Sequence, residues 1–266
     1  MSIVDHSPAR QDVPERQGAA VTIRGLTKVH GQGSQAVVAI DDLSLDVGRG
    51  EFVCVIGASG CGKSTLLHVL ADLDAPTSGD VRVEGRHTAL MFQEAALFPW
   101  LTAEGNVALP LRLRGVDGDA RRRRARELLS LVQLGGAVDR RPHQLSGGMK
   151  QRVALARAFA QDADLLLMDE PFGALDAMTR DALHQELELL WTRGAFSVIF
   201  VTHNVREAVR LGDRVVLLTS RPGRVARVFE VPIARPRRHN TAEVGELARQ
   251  ITDVLLEEVR RHDPGR

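Results

Sequence analysis

Residues 52–65 read FVCVIGASGCGKST. The first five residues are apolar without interruption, which is typical of a strand that is buried on both faces. The segment that follows, GASGCGKST at 57–65, is rich in glycine, and a helical pattern runs over 64–73. A strand, a loop of this spacing and a helix are the context in which backbone N–H groups surround nucleotide phosphates. The stretch therefore predicts a phosphate-binding loop.

The residues of this loop have expected parts in binding a nucleotide. Lys63 is expected to reach the β- and γ-phosphates, and the hydroxyl of Ser64 is expected to bind Mg²⁺. Glycine lets the loop N–H groups point inward without interference from Cβ atoms. The predicted nucleotide-binding residues of the loop are Gly57, Ala58, Ser59, Gly60, Cys61, Gly62, Lys63, Ser64 and Thr65.

Two adjacent carboxylates form a second candidate site. Asp169 and Glu170 follow an apolar run at 165–168 that reads as another buried strand. Open α/β sheets bind ligands at the carboxyl ends of their strands. Beside a phosphate loop, we expect Asp169 to hold Mg²⁺, usually through water, and Glu170 to orient and polarise the attacking water.

The rest of the chain alternates between strand-like and helical patterns. This alternation predicts an α/β fold with a mostly parallel sheet and crossover helices. Residues 95–160 are helical in character, and Asp119 is expected to cap a helix whose first turns read RRRRAR at 121–126. Further strands are predicted at 21–29, 37–47, 80–84, 88–92, 198–201 and 214–219, and further helices at 178–191 and 241–261.

Composition excludes several classes of protein. The 35 basic and 34 acidic residues nearly balance, which argues against a protein that depends on nucleic-acid phosphates, and the arginine run reads as a solvated helix face. No run approaches the roughly 18 uncharged apolar residues of a membrane span. The two cysteines, Cys54 and Cys61, form no disulfide framework. A contact with a membrane is therefore expected only through partners.

Four further motifs narrow the class of nucleotide-binding protein. LSGGMKQR stands at 145–152, MFQE at 91–94, GALD at 173–176 and VTH at 201–203. Together with the loop, and in this order, they resemble the ATP-binding-cassette ATPases over about residues 20–235. The resemblance implies a P-loop NTPase core with a mostly parallel sheet, an N-terminal antiparallel β subdomain and an inserted α-helical signature subdomain at about 95–160. The polar residues at 1–19 predict a disordered lead, and the spacing of apolar residues predicts a C-terminal helical tail at 236–266.

The family's chemistry assigns roles to these motifs by resemblance. Two subunits pack head to tail around two ATP molecules, so that Ser146, Gly147 and Gly148 contact the γ-phosphate bound to the other chain. Gln93 senses Mg²⁺ and water and couples to the membrane partner. His203 holds the γ-phosphate and the attacking water, and Asp176 connects the two sites. The expected cofactors are ATP and Mg²⁺, and the expected catalytic residues are Lys63, Gln93, Glu170 and His203.

Within the family, several segments resemble importers of the nitrate, sulfonate and taurine type. They are FQEAALFPWLT at 92–102, EPFGALD at 170–176, RPGR at 221–224 and RPR at 235–237. The implied partners are a second identical or paralogous ATPase subunit, an integral membrane permease and, indirectly, a solute-binding protein, with no nucleic acid. The implied location is peripheral, at the cytoplasmic face of the inner membrane. The sequence does not specify the solute.

Two other classes of protein also contain a phosphate loop of this kind. A non-transport cassette protein acting on ribosomes or chromosomes usually carries a second cassette or a long coiled coil. The 83 residues between Lys63 and Ser146 leave no room for that coiled coil. A phosphotransferase that uses the loop for a small acceptor would not need the signature or the switch histidine.

The chain departs from the family pattern at three places. His30 occupies the position where an aromatic ring usually stacks on adenine. Asp72 replaces a common glycine, and we expect aspartate to tolerate the left-handed backbone there. Asn204 stands where aspartate usually follows the switch histidine. The arginine-rich stretch at 235–239 is expected to be a solvated surface, with contact to membrane headgroups as the alternative.

Overall fold

A computed structural model describes residues 18–194, 196–238 and 241–262. The predicted lead at 1–19 lies outside these residues except for its last two positions. The strands are β1 (Ala19–His30), β2 (Val37–Gly48), β3 (Phe52–Ile56), β4 (Ser78–Val83), β5 (Thr88–Met91), β6 (Leu165–Asp169), β7 (Ser197–Val201), β8 (Arg214–Leu218) and β9 (Val225–Glu230). The helices are α1 (Lys63–Leu70), α2 (Ala103–Leu113), α3 (Gly118–Leu131), α4 (Gly147–Phe159), α5 (Ala177–Arg193), α6 (Val205–Leu211) and α7 (Ala242–His262).

The strands form two sheets. The smaller sheet is antiparallel, in the order β2-β1-β4. The larger sheet has the order β5-β6-β7-β3-β8-β9, in which the first five strands are parallel and β9 is an antiparallel edge. The predicted α/β class, with a mostly parallel sheet and an N-terminal antiparallel sheet, is therefore confirmed. The sequence patterns did not predict β9.

Both faces of the larger sheet are covered, as the uninterrupted apolar strands require. Side chains alternate along β3, so Phe52, Cys54 and Ile56 enter one core and Val53 and Val55 enter the other. The first core contains residues of α2, α3, α4 and α5. The second contains α1 and the antiparallel sheet. The phosphate loop thus starts from a strand that is fixed on both sides.

The helical region between β5 and β6 is organised by N-terminal caps. The hydroxyl of Thr102 accepts from the N–H of Gly105 at 3.0 Å to begin α2. The carboxylate of Asp117 accepts from the N–H of Asp119 at 3.1 Å to begin α3. The prediction that Asp119 caps this helix is wrong by two residues, because Asp117 is the residue with extended backbone before the first turn. Asp119 instead pairs with Arg122 on the helix surface.

The C-terminal segment is fixed to the core by two arginines. The prediction of a solvated surface at 235–239 is wrong for Arg237, which is buried, and for Arg235, which is half-buried against the ring of Trp191. The last carbonyls of a helix lack intrahelical hydrogen-bond partners. At the end of α6, the two guanidinium groups donate hydrogen bonds to these carbonyls. Arg235 donates to the carbonyl of Leu211, and Arg237 donates to those of Val209, Gly212, Val231 and Ile233.

The tail forms a helix, as its spacing predicts. Val244, Ala248 and Ile251 of α7 are buried in the first core, while the charged residues of this helix mostly face outward. Within the described part of the chain, no helix is both long and apolar enough to cross a membrane.

Candidate functional site

One edge of the larger sheet collects most of the predicted site residues. β5, β6, β7 and β3 are neighbours and run parallel, so their carboxyl ends lie side by side. Gln93 follows β5, Asp169 and Glu170 lie at the end of β6, His203 follows β7, and the phosphate loop follows β3. Sequence positions that are up to 146 residues apart therefore meet at one site.

The phosphate loop is bent by glycines with positive φ. Gly60 has φ 73° and Gly62, which precedes α1, has φ 95°. A Cβ atom at Gly62 would come within 2.6 Å of the carbonyl oxygen of Ala39, so only glycine fits there. The Nζ atom of Lys63 donates to the carbonyls of Gly57 and Ala58, both at 2.9 Å. The ammonium group thus lies at the inside of the loop, where phosphate oxygens would be bound.

Asp169 is a buried carboxyl group at the end of β6. Burial raises the pKa of Asp169, although a hydrogen bond from Ser64 opposes the shift. A divalent cation next to this carboxyl would keep it ionised and would offset the cost of burial. Among the described residues, no cluster of three or more His, Cys, Asp or Glu forms a metal site of its own. One carboxylate and one hydroxyl fit Mg²⁺, which is usually held with the help of substrate phosphates.

Glu170 lies between Gln93 and His203. The Nε2 atom of Gln93 donates to Oε2 of Glu170 at 3.3 Å, and Nδ1 of His203 lies 3.2 Å from the same oxygen. Glu170 and His203 also line a small cavity of about 40 Å³, which is large enough for a water molecule. A carboxylate and an imidazole at the wall of a cavity of this size, with the Gln93 amide bonded to the carboxylate, form an arrangement that can position and deprotonate water.

The backbone of Glu170 has an unusual conformation. Its φ of 45° lies in the left-handed region, which costs free energy for any residue other than glycine. The N–H of Glu170 donates to the carbonyl of Val201 at 3.0 Å, and its carbonyl accepts from Gly173 at 3.2 Å. These bonds to the neighbouring strand and the following turn hold the strained residue, and they aim its side chain at Gln93 and His203.

The signature residues are not brought to the phosphate loop of the same chain. The hydroxyl of Ser146 accepts from the N–H of Met149 at 3.3 Å and begins α4. Of the hydrogen bonds and ion pairs between described residues, none joins residues 146–148 to residues 57–65. A Cβ atom on Gly148 would lie 3.1 Å from Leu175, beside Asp176. Asp176 caps α5 by accepting from Thr179 at 3.0 Å, and that bond lowers the pKa of Asp176.

His30 lies next to the phosphate loop. Its Nε2 atom is 3.3 Å from Oγ1 of Thr65, and its ring is half exposed. Asp74 is 4.0 Å from Nδ1 of His30 and also forms an ion pair with Lys28. The ring is therefore exposed beside the loop, and its stacking on a base stays a prediction.

Two departures from the family pattern have local explanations. Asp72 has φ 57°, which confirms the expected left-handed backbone after α1. Asn204 caps α6, since its Oδ1 atom accepts from the N–H of Glu207 at 3.2 Å. Asparagine and aspartate are equally good caps, so this substitution preserves the start of the helix.

Sequence reasoning missed several residues that support the site. The Nε atom of Arg221, after β8, donates to the carbonyl of Gly60 at 2.9 Å and so braces the loop. The buried side chain of Gln151, in α4, donates to the carbonyl of Gln93 at 3.2 Å. Arg221 belongs to the RPGR segment and Gln151 to the signature motif, so the sequence singles out both stretches. Only the tertiary structure shows what the two side chains contact.

Alkylation of Cys61 is expected to be slow at neutral pH. The thiol is fully buried in the loop, and burial raises its pKa. Because the thiolate is the reactive form and the pKa is raised, the rate should still be rising with pH above the ordinary thiol pKa of about 8.5, where the rate of an exposed cysteine levels off. Mass spectrometry of the iodoacetamide-treated protein at several pH values, with Cys61→Ser as control, measures this rate. Complete modification within minutes at pH 7 would contradict the prediction.

Comparison with known proteins identifies similar sequences and structures. The family described as "ABC transporter" matches residues 40–173. The taurine import ATP-binding protein TauB of Mesorhizobium japonicum is 49% identical over 78% of this chain and 83% of its own length. The aliphatic sulfonates import ATP-binding protein SsuB 1 of the same organism is 45% identical over 94% of this chain and 93% of its own length.

A solved structure shows a similar fold. It is a dimeric ATP-binding cassette in a post-hydrolysis state, bound to ADP and Pi. It is 34% identical to this chain, with a TM-score of 0.75. The alignment covers 80% of this chain and all of the solved chain.

Proposed function

This chain belongs to the ATP-binding-cassette family of transporter ATPases, and from that premise we propose that it drives the uptake of a small sulfonate-like solute through a separate membrane permease. The observation that carries the catalytic part of the proposal is the position of Glu170. It lies between Gln93 and His203, at the carboxyl edge that also holds the phosphate loop.

The proposed division of labour follows the geometry of that edge. Lys63 and the loop N–H groups bind the phosphates and neutralise their charge. Glu170 accepts hydrogen bonds from the attacking water and takes up its proton, while His203 holds the water and the γ-phosphate in line. His30 stacks on the base. The protein thus accelerates phosphoryl transfer mainly by positioning and charge neutralisation.

We also propose that Ser64, Asp169 and Gln93 hold Mg²⁺ together with the phosphates. When bound, the cation would supply positive charge at the β- and γ-phosphate oxygens. The buried carboxyl of Asp169, with its raised pKa, supports this assignment.

A head-to-tail dimer would complete each site. Residues 146–148 make no hydrogen bond to the phosphate loop of their own chain, so the signature is available to a nucleotide bound by another copy. A two-fold axis then generates two equivalent sites, with Asp176 beside each signature. The similar solved cassette is a dimer, which supports this arrangement. A paralogous subunit that carries the same loop and signature would fit the second position equally well.

The transport role rests on the named relatives. A permease partner, an indirect link to a solute-binding protein and a position at the cytoplasmic face of the membrane are proposed from the taurine and sulfonate import proteins. The proposed division of the chain is an ATPase domain at 20–235, whose helical subdomain spans about 95–160, and a tail at 236–266.

Purification of the tagged chain from the membranes of its own host tests the transport role. Recovery of a multi-span permease is the expected result. A solute-binding protein encoded or purified with it would then be screened by thermal shift against taurine, alkanesulfonates, nitrate and sulfate. Recovery only with ribosomal or chromosomal proteins would instead favour a non-transport cassette ATPase.

A further inference from the structure

A buried polar cluster lies directly behind His203. It contains His184 of α5, Thr202 directly after β7, and Glu207 and Arg210 of α6. All four side chains are buried, although the first core that surrounds them is apolar. Buried charges are costly unless they are paired and hydrogen-bonded, so the contacts of each group show what the cluster holds in place.

The hydrogen bonds of the cluster have a defined direction. Nη1 of Arg210 donates to Oδ1 of Asp181 at 2.9 Å and lies 3.2 Å from Nδ1 of His184. Because a guanidinium group can only donate, Nδ1 of His184 must be the acceptor. A neutral His184 then carries its proton on Nε2, which donates to Oε1 of Glu207 at 2.7 Å. His184 therefore holds one oxygen of the Glu207 carboxylate.

The other end of Glu207 holds the segment that carries His203. Its second oxygen, Oε2, accepts from the hydroxyl of Thr202, and the N–H of Glu207 donates to Oδ1 of Asn204. The hydroxyl oxygen of Thr202 in turn accepts from the N–H of Asn204 at 3.0 Å. Both chain neighbours of His203 are thus tied to Glu207, Thr202 through the carboxylate and Asn204 through the backbone N–H. The side chain of His203 itself remains exposed and faces Glu170.

Glu207 also lies close to the water-sized cavity of the site. The residues that line this cavity include Glu170, His203, Thr202 and Glu207. Thr202 and Glu207 therefore border the same space as Glu170 and His203, while His184 and Arg210 do not line it. A displacement of Thr202 or Asn204 would move the imidazole relative to the water position without touching the phosphate loop.

We propose that Glu207 is a positioning residue for ATP hydrolysis, which acts through Thr202 and Asn204 to hold His203 at the correct distance from Glu170. The proposal rests on the roles proposed above for Glu170 and His203. His184, oriented by Arg210, keeps the carboxylate aimed at Thr202. None of these four side chains touches the nucleotide in this scheme, so the cluster influences turnover rather than binding.

The sharpest test is a pair of substitutions at Thr202, measured in the full-length chain. Thr202→Val keeps the shape of the side chain and removes the hydroxyl group, which breaks the link to Glu207. We expect kcat to fall by about 10- to 100-fold, because small displacements of a catalytic group have effects of this size. The KM for ATP should change by no more than about twofold, since the loop that binds the phosphates is unaffected. Thr202→Ser restores the hydroxyl and should recover most of the lost turnover.

Glu207→Gln provides a second test at nearly constant volume. An amide cannot accept from both His184 and Thr202, because one of its ends is a donor. We expect the same selective loss of kcat, and thermal unfolding measured in parallel shows whether each variant is folded. Thr192→Val is the matched control for Thr202→Val. It makes the same change and removes a hydroxyl that donates to the carbonyl of Glu188 in α5, away from His203. Its kcat should equal that of the unaltered chain.

His203→Ala distinguishes the role of Glu207 from that of His203. If His203→Ala lowers turnover and folded Thr202→Val and Glu207→Gln do not, the positioning role of Glu207 is overturned while the proposed role of His203 stands. If His203→Ala itself retains full turnover, the proposed role of His203 is wrong, and the positioning role of Glu207 falls with it. A loss of stability in Thr202→Val with unchanged kcat in the folded protein would also overturn the proposal, since it would leave the cluster with a purely structural part.

Discussion

Glu170→Gln is expected to lower ATP turnover by about 10²- to 10⁴-fold, the range that a general base contributes. The amide cannot take up a proton from the attacking water, yet it occupies the same volume between Gln93 and His203. ATP binding should persist because Lys63 and the loop are unchanged. The uncleaved γ-phosphate should then keep two chains together, which size-exclusion chromatography with ATP and Mg²⁺ would detect as a stable dimer.

The control for this substitution is Glu230→Gln. Glu230 is an exposed residue of β9 at the far edge of the same sheet, so this variant removes an equivalent charge away from the site. Its turnover should match that of the unaltered chain. Normal hydrolysis by folded Glu170→Gln would show that the water is activated by another group, and the assignment of Glu170 would have to be abandoned.

The second large effect concerns the sharing of each site between two chains. Lys63→Ala removes the ammonium group that lies inside the loop, and Ser146→Arg places a bulky cation where the signature must approach phosphate. Each variant alone should have turnover reduced by at least about 10²-fold, the scale of losing one transition-state contact. In a mixture, however, a mixed dimer combines the intact loop of one chain with the intact signature of the other.

The mixture should therefore regain activity that neither variant has alone. If chains exchange at random and the two sites act independently, the expected recovery is about one quarter of the unaltered rate, because half of the dimers have one complete site. Mixing Lys63→Ala with a chain that carries both substitutions builds no complete site and serves as control. If the mixture of the two single variants remains inactive although mixed dimers form, each site is contained in one chain and the head-to-tail arrangement is wrong.

Parts of the fold were predictable because their causes are local. The apolar run at 52–56 matches β3 at both ends, since a strand between two covered faces must be apolar throughout. Asp72 was expected to adopt left-handed backbone and has φ 57°. The spacing of apolar residues in the tail predicted α7, and Val244 and Ile251 are buried as that spacing requires.

Other features depend on neighbours that are distant in sequence. The edge strand β9 has four of its six residues exposed, so its sequence lacks a clear apolar pattern, and it is defined by pairing with β8. In the sequence, Arg235 and Arg237 look like part of a solvated basic stretch. In the fold they are drawn into the interior because they donate to the free carbonyls at the end of α6. The cap of α3 was misplaced because Asp117 and Asp119 are both good caps, and only the backbone conformation distinguishes them.

The candidate site divides in the same way. The sequence determined the phosphate loop, the paired acids and the signature, because each is a run of contiguous residues whose types dictate a backbone shape or a charge. Only the tertiary structure decided that Gln93, Glu170 and His203 come within hydrogen-bonding distance, and that Glu207 holds the segment around His203. These contacts depend on the strand order β5-β6-β7-β3, in which chain positions far apart become neighbours. Strand order is set by the packing of the whole sheet and its crossover helices, whereas the residues of a single motif specify only their own loop.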